Sequence, residues 1–195
     1  MLIRNWKKEI LTIPNILSLF RLLLIPVYVT IYLNASSPAD YLLAGSILAI
    51  SCLTDLLDGK IARRYNMVST LGKILDPLAD KATQFSLILC LATAHNVLWY
   101  LVGLFLVKET FQLIAGSINL RKGKMLKGAL LTGKICTTVL FVSLIIMVLF
   151  PQLNYRFISI VTAVDALFML IALLDYITAY RFKDNVFEDI TNDTE

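Results

Sequence analysis

Imidazole is nearly absent: His95 is the only histidine in 195 residues. That removes His-based metal sites and Ser-His-Asp machinery from consideration. His95 itself sits in a short polar break between two apolar runs, where a loop is expected. Cysteine is scarce too. Cys52, Cys90 and Cys136 all lie inside apolar runs without C-x-x-C spacing, and so read as buried small hydrophobes. No Walker A sequence and no G-x-G-x-x-G occurs, so the common nucleotide-binding loops are missing. Nothing points to a nucleic-acid partner. No small-residue cleavage site follows the first apolar run, so that run is read as retained rather than as a signal peptide. Charge is also thin. Only 16% of residues are charged and 58% are hydrophobic, against about 25% charged in an average soluble domain.

What is present is a series of long apolar runs. Six membrane spans are expected: about Ile13 to Leu33, from about Tyr41 with Asp55 to Arg63 at its far end, Leu71 to Ala94, Val97 to Leu120, Gly128 to Phe150, and Phe157 to Tyr180. Residues 1–12 place Leu2, Ile3, Trp6 and Ile10 on one helical face, with Arg4, Lys7 and Lys8 off it. This predicts a short amphipathic interfacial helix. Residues 181–195 form an acidic tail, expected to be poorly ordered. The fold class is therefore an all-α integral membrane protein, with the six-helix domain at residues 13–180. Basic residues set its orientation. Arg4, Lys7, Lys8, Lys60, Arg63, Arg64, Arg121, Lys122, Lys124, Lys127, Arg181 and Lys183 fall on one side if both termini share it, and only Arg156 lies near the other. Both termini are expected in the cytoplasm.

Against this apolar background, one stretch concentrates carboxylates. Asp55, Asp58, Gly59, Ala62 and Arg63 share a helical face at about 100° per residue. After eight residues, Gly72, Asp76 and Asp80 form a second stripe at spacings of four. Helices meeting on these faces would bring four carboxylates together, and such charges need a cation. Clustered carboxylates select a hard divalent ion such as Mg²⁺, Mn²⁺ or Ca²⁺. Arg63 suits a phosphate beside it. On the expected topology the acids lie at cytoplasmic headgroup depth, where a lipid headgroup meets a soluble nucleotide. A divalent-cation transporter, the reading from a different class, would place its acids nearer the bilayer midplane. Depth therefore favours a metal-dependent lipid enzyme. Gly59 and Gly72 allow either a nucleotide to press on the backbone or simple close helix packing.

This stretch resembles the signature of the CDP-alcohol phosphotransferase family, D-x-x-D-G-x-x-A-R, eight residues, then G-x-x-x-D-x-x-x-D. Every fixed position is filled. The resemblance implies a membrane enzyme that moves a phosphatidyl or similar group from a CDP-linked donor, here CDP-diacylglycerol, to an alcohol, releasing CMP. It implies a Mg²⁺ or Mn²⁺ cofactor, as two ions, with Asp55, Asp58 and Asp76 as ligands. Asp80 would share a metal and act as base. Asp55, Asp58, Gly59, Ala62, Arg63, Gly72 and Asp76 would line the CDP site. Family members are often homodimers, and Gly45, Ser46 and Ala49 offer a small-residue contact face.

The acceptor is less determined. Arg21, Lys108 and Lys134 lie in cytoplasmic parts of their spans and are the candidate acceptor-phosphate ligands. Ile13-Pro-Asn-Ile-Leu-Ser-Leu-Phe-Arg21 and Leu75-Asp-Pro-Leu-Ala-Asp-Lys81 resemble the phosphatidylglycerophosphate synthase branch, which implies sn-glycerol 3-phosphate. That branch usually carries Arg-Glu and then Gly-Leu-Arg in its fourth span. Here the pair is Lys108-Glu109, and Leu113-Ile-Ala-Gly116 follows without the arginine. Glu109 to Lys122, with Gly133-Lys134, is equally similar to the cardiolipin synthase branch, whose acceptor is phosphatidylglycerol.

Overall fold

The computed structural model describes residues 12–64, 72–121, 124–126, 128, 130–182 and 187–189. Side chains are described for these except 13, 14, 55–64, 73, 74, 124–126, 182 and 187–189. Six helices form in order: α1 (Ile13–Leu33), α2 (Pro38–Arg64), α3 (Gly72–Ala94), α4 (Leu98–Arg121), α5 (Leu131–Leu149) and α6 (Tyr155–Phe182). The expected interfacial segment, residues 1–12, lies outside the described residues apart from Thr12.

Among the described residues, four helices are long and apolar enough to cross a membrane: Asn15–Leu33, Leu98–Arg121, Leu131–Leu149 and Tyr155–Arg181. α2 is apolar over Pro38–Thr54, the part of it whose side chains are described. Six spans were expected, and these helices account for four of them. α3 opens on Lys73, Asp76, Asp80 and Lys81, which lower its hydropathy.

Helix starts differ slightly from the sequence reading, for local reasons. α2 begins at Pro38 rather than Tyr41 because Ser37-Pro-Ala-Asp40 is a capping box. The Ser37 N–H donates to the Asp40 carboxylate at 2.8 Å, and the Asp40 N–H reaches the Ser37 hydroxyl at 3.4 Å. Hydrogen bonds from Ser36 and Ser37 hold the exposed Asp40 carboxyl below its ordinary value. α5 begins at Leu131 rather than Gly128, whose φ of 143° suits glycine and not a helix. α6 begins at Tyr155 because Asn154 Oδ1 accepts the Arg156 N–H at 3.0 Å. His95 lies in the α3–α4 turn as expected, its carbonyl accepting the Leu98 N–H at 3.0 Å.

The chain divides into two compact units: Met1–Ala94 with Ile145–Gln152, and His95–Leu144 with Leu153–Glu195. In the first, α1 packs against α2 and α3. Its burial pattern is the reverse of a water-soluble helix. Asn15, Ser18 and Arg21 are buried with Tyr28 and Tyr32, while Ile16, Leu19 and Leu23 are exposed, Leu23 at 61%. Polar groups are gathered inward because hydrocarbon cannot solvate them, and the outward apolar surface suits lipid. Tyr32 packs on Tyr28 at 5.8 Å between centroids and meets Tyr41 edge-on at 5.6 Å. Gly45 is buried against Leu149 of the same chain, and an added Cβ would stand 2.4 Å from Leu149 Cδ2. That glycine, proposed above for a dimer face, is thus engaged within its own chain.

In the second unit, Leu98, Leu101, Val102, Phe105 and Lys108 form the buried stripe of α4, and α4 packs on α6. Ser143 Oγ donates to buried Asp165 at 3.0 Å, tying α5 to α6. Part of the tail expected to be poorly ordered forms a strand. β2 (Phe187–Asp189) pairs antiparallel with β1 (Lys124–Leu126), with Lys124 opposite Asp189. The basic sequence of the loop and the acidic sequence of the tail favour this approach.

Candidate active site

α3 presents Asp76 and Asp80 one turn apart, and α1 presents Ser18 and Arg21 three residues apart. The two stripes meet as a pair of rungs. Ser18 Oγ donates to Asp76 Oδ1. Arg21 Nη1 lies 2.5 Å from Asp80 Oδ1 as an ion pair. The burial of this pair is unequal. Arg21 is 2% exposed and the Asp80 side chain 46%. The guanidinium is therefore fixed in the protein, while a reactant can still reach the carboxylate. α3 continues helically through Pro77, between the two acids. Proline has no N–H, so the Lys73 carbonyl, four residues earlier, lacks its usual helical donor.

The other site residues read from the sequence separate into three groups. Gly72 opens α3 and is buried. Asp55, Asp58, Gly59, Ala62 and Arg63 fall in the last turns of α2, and their side chains lie outside the described residues. Lys108 and Lys134 belong to the second unit. Lys108 is buried and ion-paired with Glu109, its Nζ 5.8 Å from the Phe105 ring centroid. Pairing with Glu109 was one of the outcomes open to it. Lys134 stands exposed in the first turns of α5, its N–H bonded to the Leu130 carbonyl at 3.0 Å.

Sequence reasoning missed Ser18, the partner of Asp76. Ser18 lies one turn before Arg21 on the same stripe of α1, but periodicity alone does not set that stripe against α3. It also missed a second polar cluster. Thr132 Oγ1 donates to Asp175 at 2.7 Å, and the buried Tyr176 hydroxyl stands over Gly133, beside Leu130 and Gln112. Among the described residues no trio of carboxylate, thiolate or imidazole groups comes together. The two acids that would complete a cluster, Asp55 and Asp58, are outside that set.

The sequence model of the CDP-alcohol phosphatidyltransferase family matches residues 11–177. A protein of Aquifex aeolicus named CDP-diacylglycerol–glycerol-3-phosphate 3-phosphatidyltransferase is 33% identical over 174 residues, covering 89% of this chain and 96% of its own length. A probable cardiolipin synthase (CMP-forming) of Drosophila melanogaster is 37% identical over 117 residues, 60% of this chain. A cardiolipin synthase (CMP-forming) of Streptomyces coelicolor is also 37% identical over 117 residues, 59% of this chain. The match spans 35% of the Drosophila protein and 54% of the Streptomyces protein.

Proposed function

The chain belongs to the CDP-alcohol phosphatidyltransferase family, and from that premise we propose that it transfers the phosphatidyl group of CDP-diacylglycerol to sn-glycerol 3-phosphate. CMP and phosphatidylglycerol phosphate are the products. The observation that carries the chemistry is the rung of Arg21 on Asp80: a carboxylate fixed in direction by a buried guanidinium, yet open to a reactant. The acceptor's hydroxyl oxygen bonds to the phosphatidyl phosphorus, the bond from that phosphorus to the CMP oxygen breaks, and the hydroxyl proton passes to Asp80.

Asp76 and Asp80 supply hard oxygen donors one turn apart, a donor set that suits Mg²⁺ or Mn²⁺. Asp55, Asp58, Asp76 and Asp80 are the residues that would hold two such ions. When bound, the ions would neutralise the pyrophosphate and stabilise the leaving CMP. Gly59, Ala62, Arg63 and Gly72 complete the CDP side by their place in the motif. Arg21, Lys108 and Lys134 are the cations assigned to the acceptor.

The acceptor choice rests on the Aquifex relative, which matches over nearly its whole length and bears the glycerol-3-phosphate name. The cardiolipin synthases support a second reading, with phosphatidylglycerol as acceptor. An acceptor panel decides. With CDP-diacylglycerol and glycerol 3-phosphate, the purified protein should release CMP and form a lipid carrying a terminal phosphate. CMP release with phosphatidylglycerol alone would establish the second reading. Release only with inositol, inositol phosphate or serine would overturn both.

The same reading places the termini and the active site in the cytoplasm, where the nucleotide is. In a background lacking Cys52, Cys90 and Cys136, single cysteines at the exposed positions Arg121 and Ser36 should label from opposite faces of sealed membranes. Arg121→Cys should react from the cytoplasmic side. Labelling of both from outside would overturn this sidedness.

A further inference from the structure

Gly133 is buried in the first turn of α5, and its Cβ position is already taken. An added Cβ would stand 2.6 Å from the Tyr176 hydroxyl oxygen and 2.9 Å from Tyr176 Cε2. Glycine is required here by a neighbour. Tyr176 on α6 is buried, and the backbone of Leu130, just before α5, and the side chain of Gln112 on α4 stand beside its hydroxyl. One phenol oxygen therefore meets three elements of the second unit. A phenylalanine would fill the same space but could tie none of them.

The residues around this junction give it meaning. Lys134 follows Gly133, and its N–H closes the turn on the Leu130 carbonyl at 3.0 Å. Gln112 stands one helical turn beyond Lys108 on α4. Asp175, next to Tyr176, holds Thr132 at 2.7 Å. Tyr180 stacks on Tyr176 at 6.4 Å between centroids and meets Phe111 of α4 edge-on at 6.2 Å. Two cations assigned to the acceptor, Lys108 and Lys134, thus sit on elements whose mutual placement depends on this hydroxyl.

We propose that Tyr176 is a positioning residue for a phosphorylated acceptor: its hydroxyl, seated over Gly133, locks the first turn of α5 and Lys134 against α4 and Lys108. The proposal rests on the functional reading above and deepens it. A phosphate monoester and a phosphodiester share the chemistry the two lysines would meet, so both glycerol 3-phosphate and phosphatidylglycerol belong in the test.

The experiment uses the full-length protein in detergent, with each acceptor varied at saturating CDP-diacylglycerol and then the reverse. Tyr176→Phe should raise KM for the acceptor about tenfold, change kcat less than about twofold, and leave KM for CDP-diacylglycerol unaltered. Gly133→Ala should act in the same direction. The double variant should be less than additive, because losing the phenol oxygen removes the tightest contact on the new methyl. Amide exchange across residues 130–134 should accelerate about tenfold in Tyr176→Phe. A lowered thermal midpoint with both KM values unchanged would reduce Tyr176 to a packing residue and overturn the proposal, as would unchanged exchange at 130–134. A wild-type protein inactive with both acceptors would sink the functional reading, and the exchange measurement would still decide whether the hydroxyl holds the turn.

Discussion

Asp80→Asn should leave a folded protein that still binds the CDP donor in the presence of Mg²⁺ but releases CMP about 1,000-fold more slowly, within the range expected for loss of a general base. The amide keeps the size of the side chain and an oxygen for Arg21 to meet. It cannot take the acceptor's proton at neutral pH. The structure makes this substitution informative, because Arg21 is buried and Asp80 is half-exposed. Losing the charge on Asp80 weakens the rung without opening a cavity, so a stability loss of about 1–2 kcal/mol is expected, well short of a fully buried pair broken on one side.

Two controls separate chemistry from folding. Arg21→Met with Asp80→Asn removes both charges and should recover part of that stability, with no recovery of CMP release. Asp76→Asn should lose donor binding as well as turnover, since Asp76 is assigned to the nucleotide side and to metal alone. If Asp80→Asn loses the donor as completely as Asp76→Asn, the two acids do one job and the separate base role is wrong.

The two ends of this site were not equally legible. The acids declared themselves, because a carboxylate in an apolar run costs too much to be incidental. Their spacings of three and four also fixed the helical face. Arg21 stood out for the same reason, and it is found against Asp80. Ser18 did not stand out, since serine is common in membrane helices and bonds equally well to its own backbone. Its role required knowing that α1 lies against α3, which one-dimensional periodicity does not give.

Hydropathy marks α3 only weakly as a span, because its first turns carry Lys73, Asp76, Asp80 and Lys81. The Gly133–Tyr176 contact was the least legible feature. A glycine in a Thr-Gly-Lys turn reads as backbone freedom or as motif. That it clears a path for a tyrosine more than forty residues later appears only in three dimensions.

Removal of divalent metal should bring CMP release down to the uncatalysed background, and Mg²⁺ or Mn²⁺ should restore it. The argument begins with charge. Four carboxylates in one short stretch of sequence repel one another, and the pyrophosphate of the proposed donor is also anionic. Arg21 is engaged with Asp80 and cannot compensate the whole set. Asp76 offers the finer test, because Ser18 donates to one of its oxygens. A hydrogen bond of that kind aims a ligand, and its loss typically weakens metal affinity about 10- to 100-fold. Ser18→Ala should therefore raise the Mg²⁺ concentration for half-maximal activity by about tenfold, while turnover at saturating Mg²⁺ stays near wild type. Asp76→Ala should fail at any Mg²⁺ concentration. Full activity after exhaustive chelation would refute the metal mechanism. An unshifted Mg²⁺ requirement in Ser18→Ala would instead show that Asp76 is held for packing and does not bind the ion.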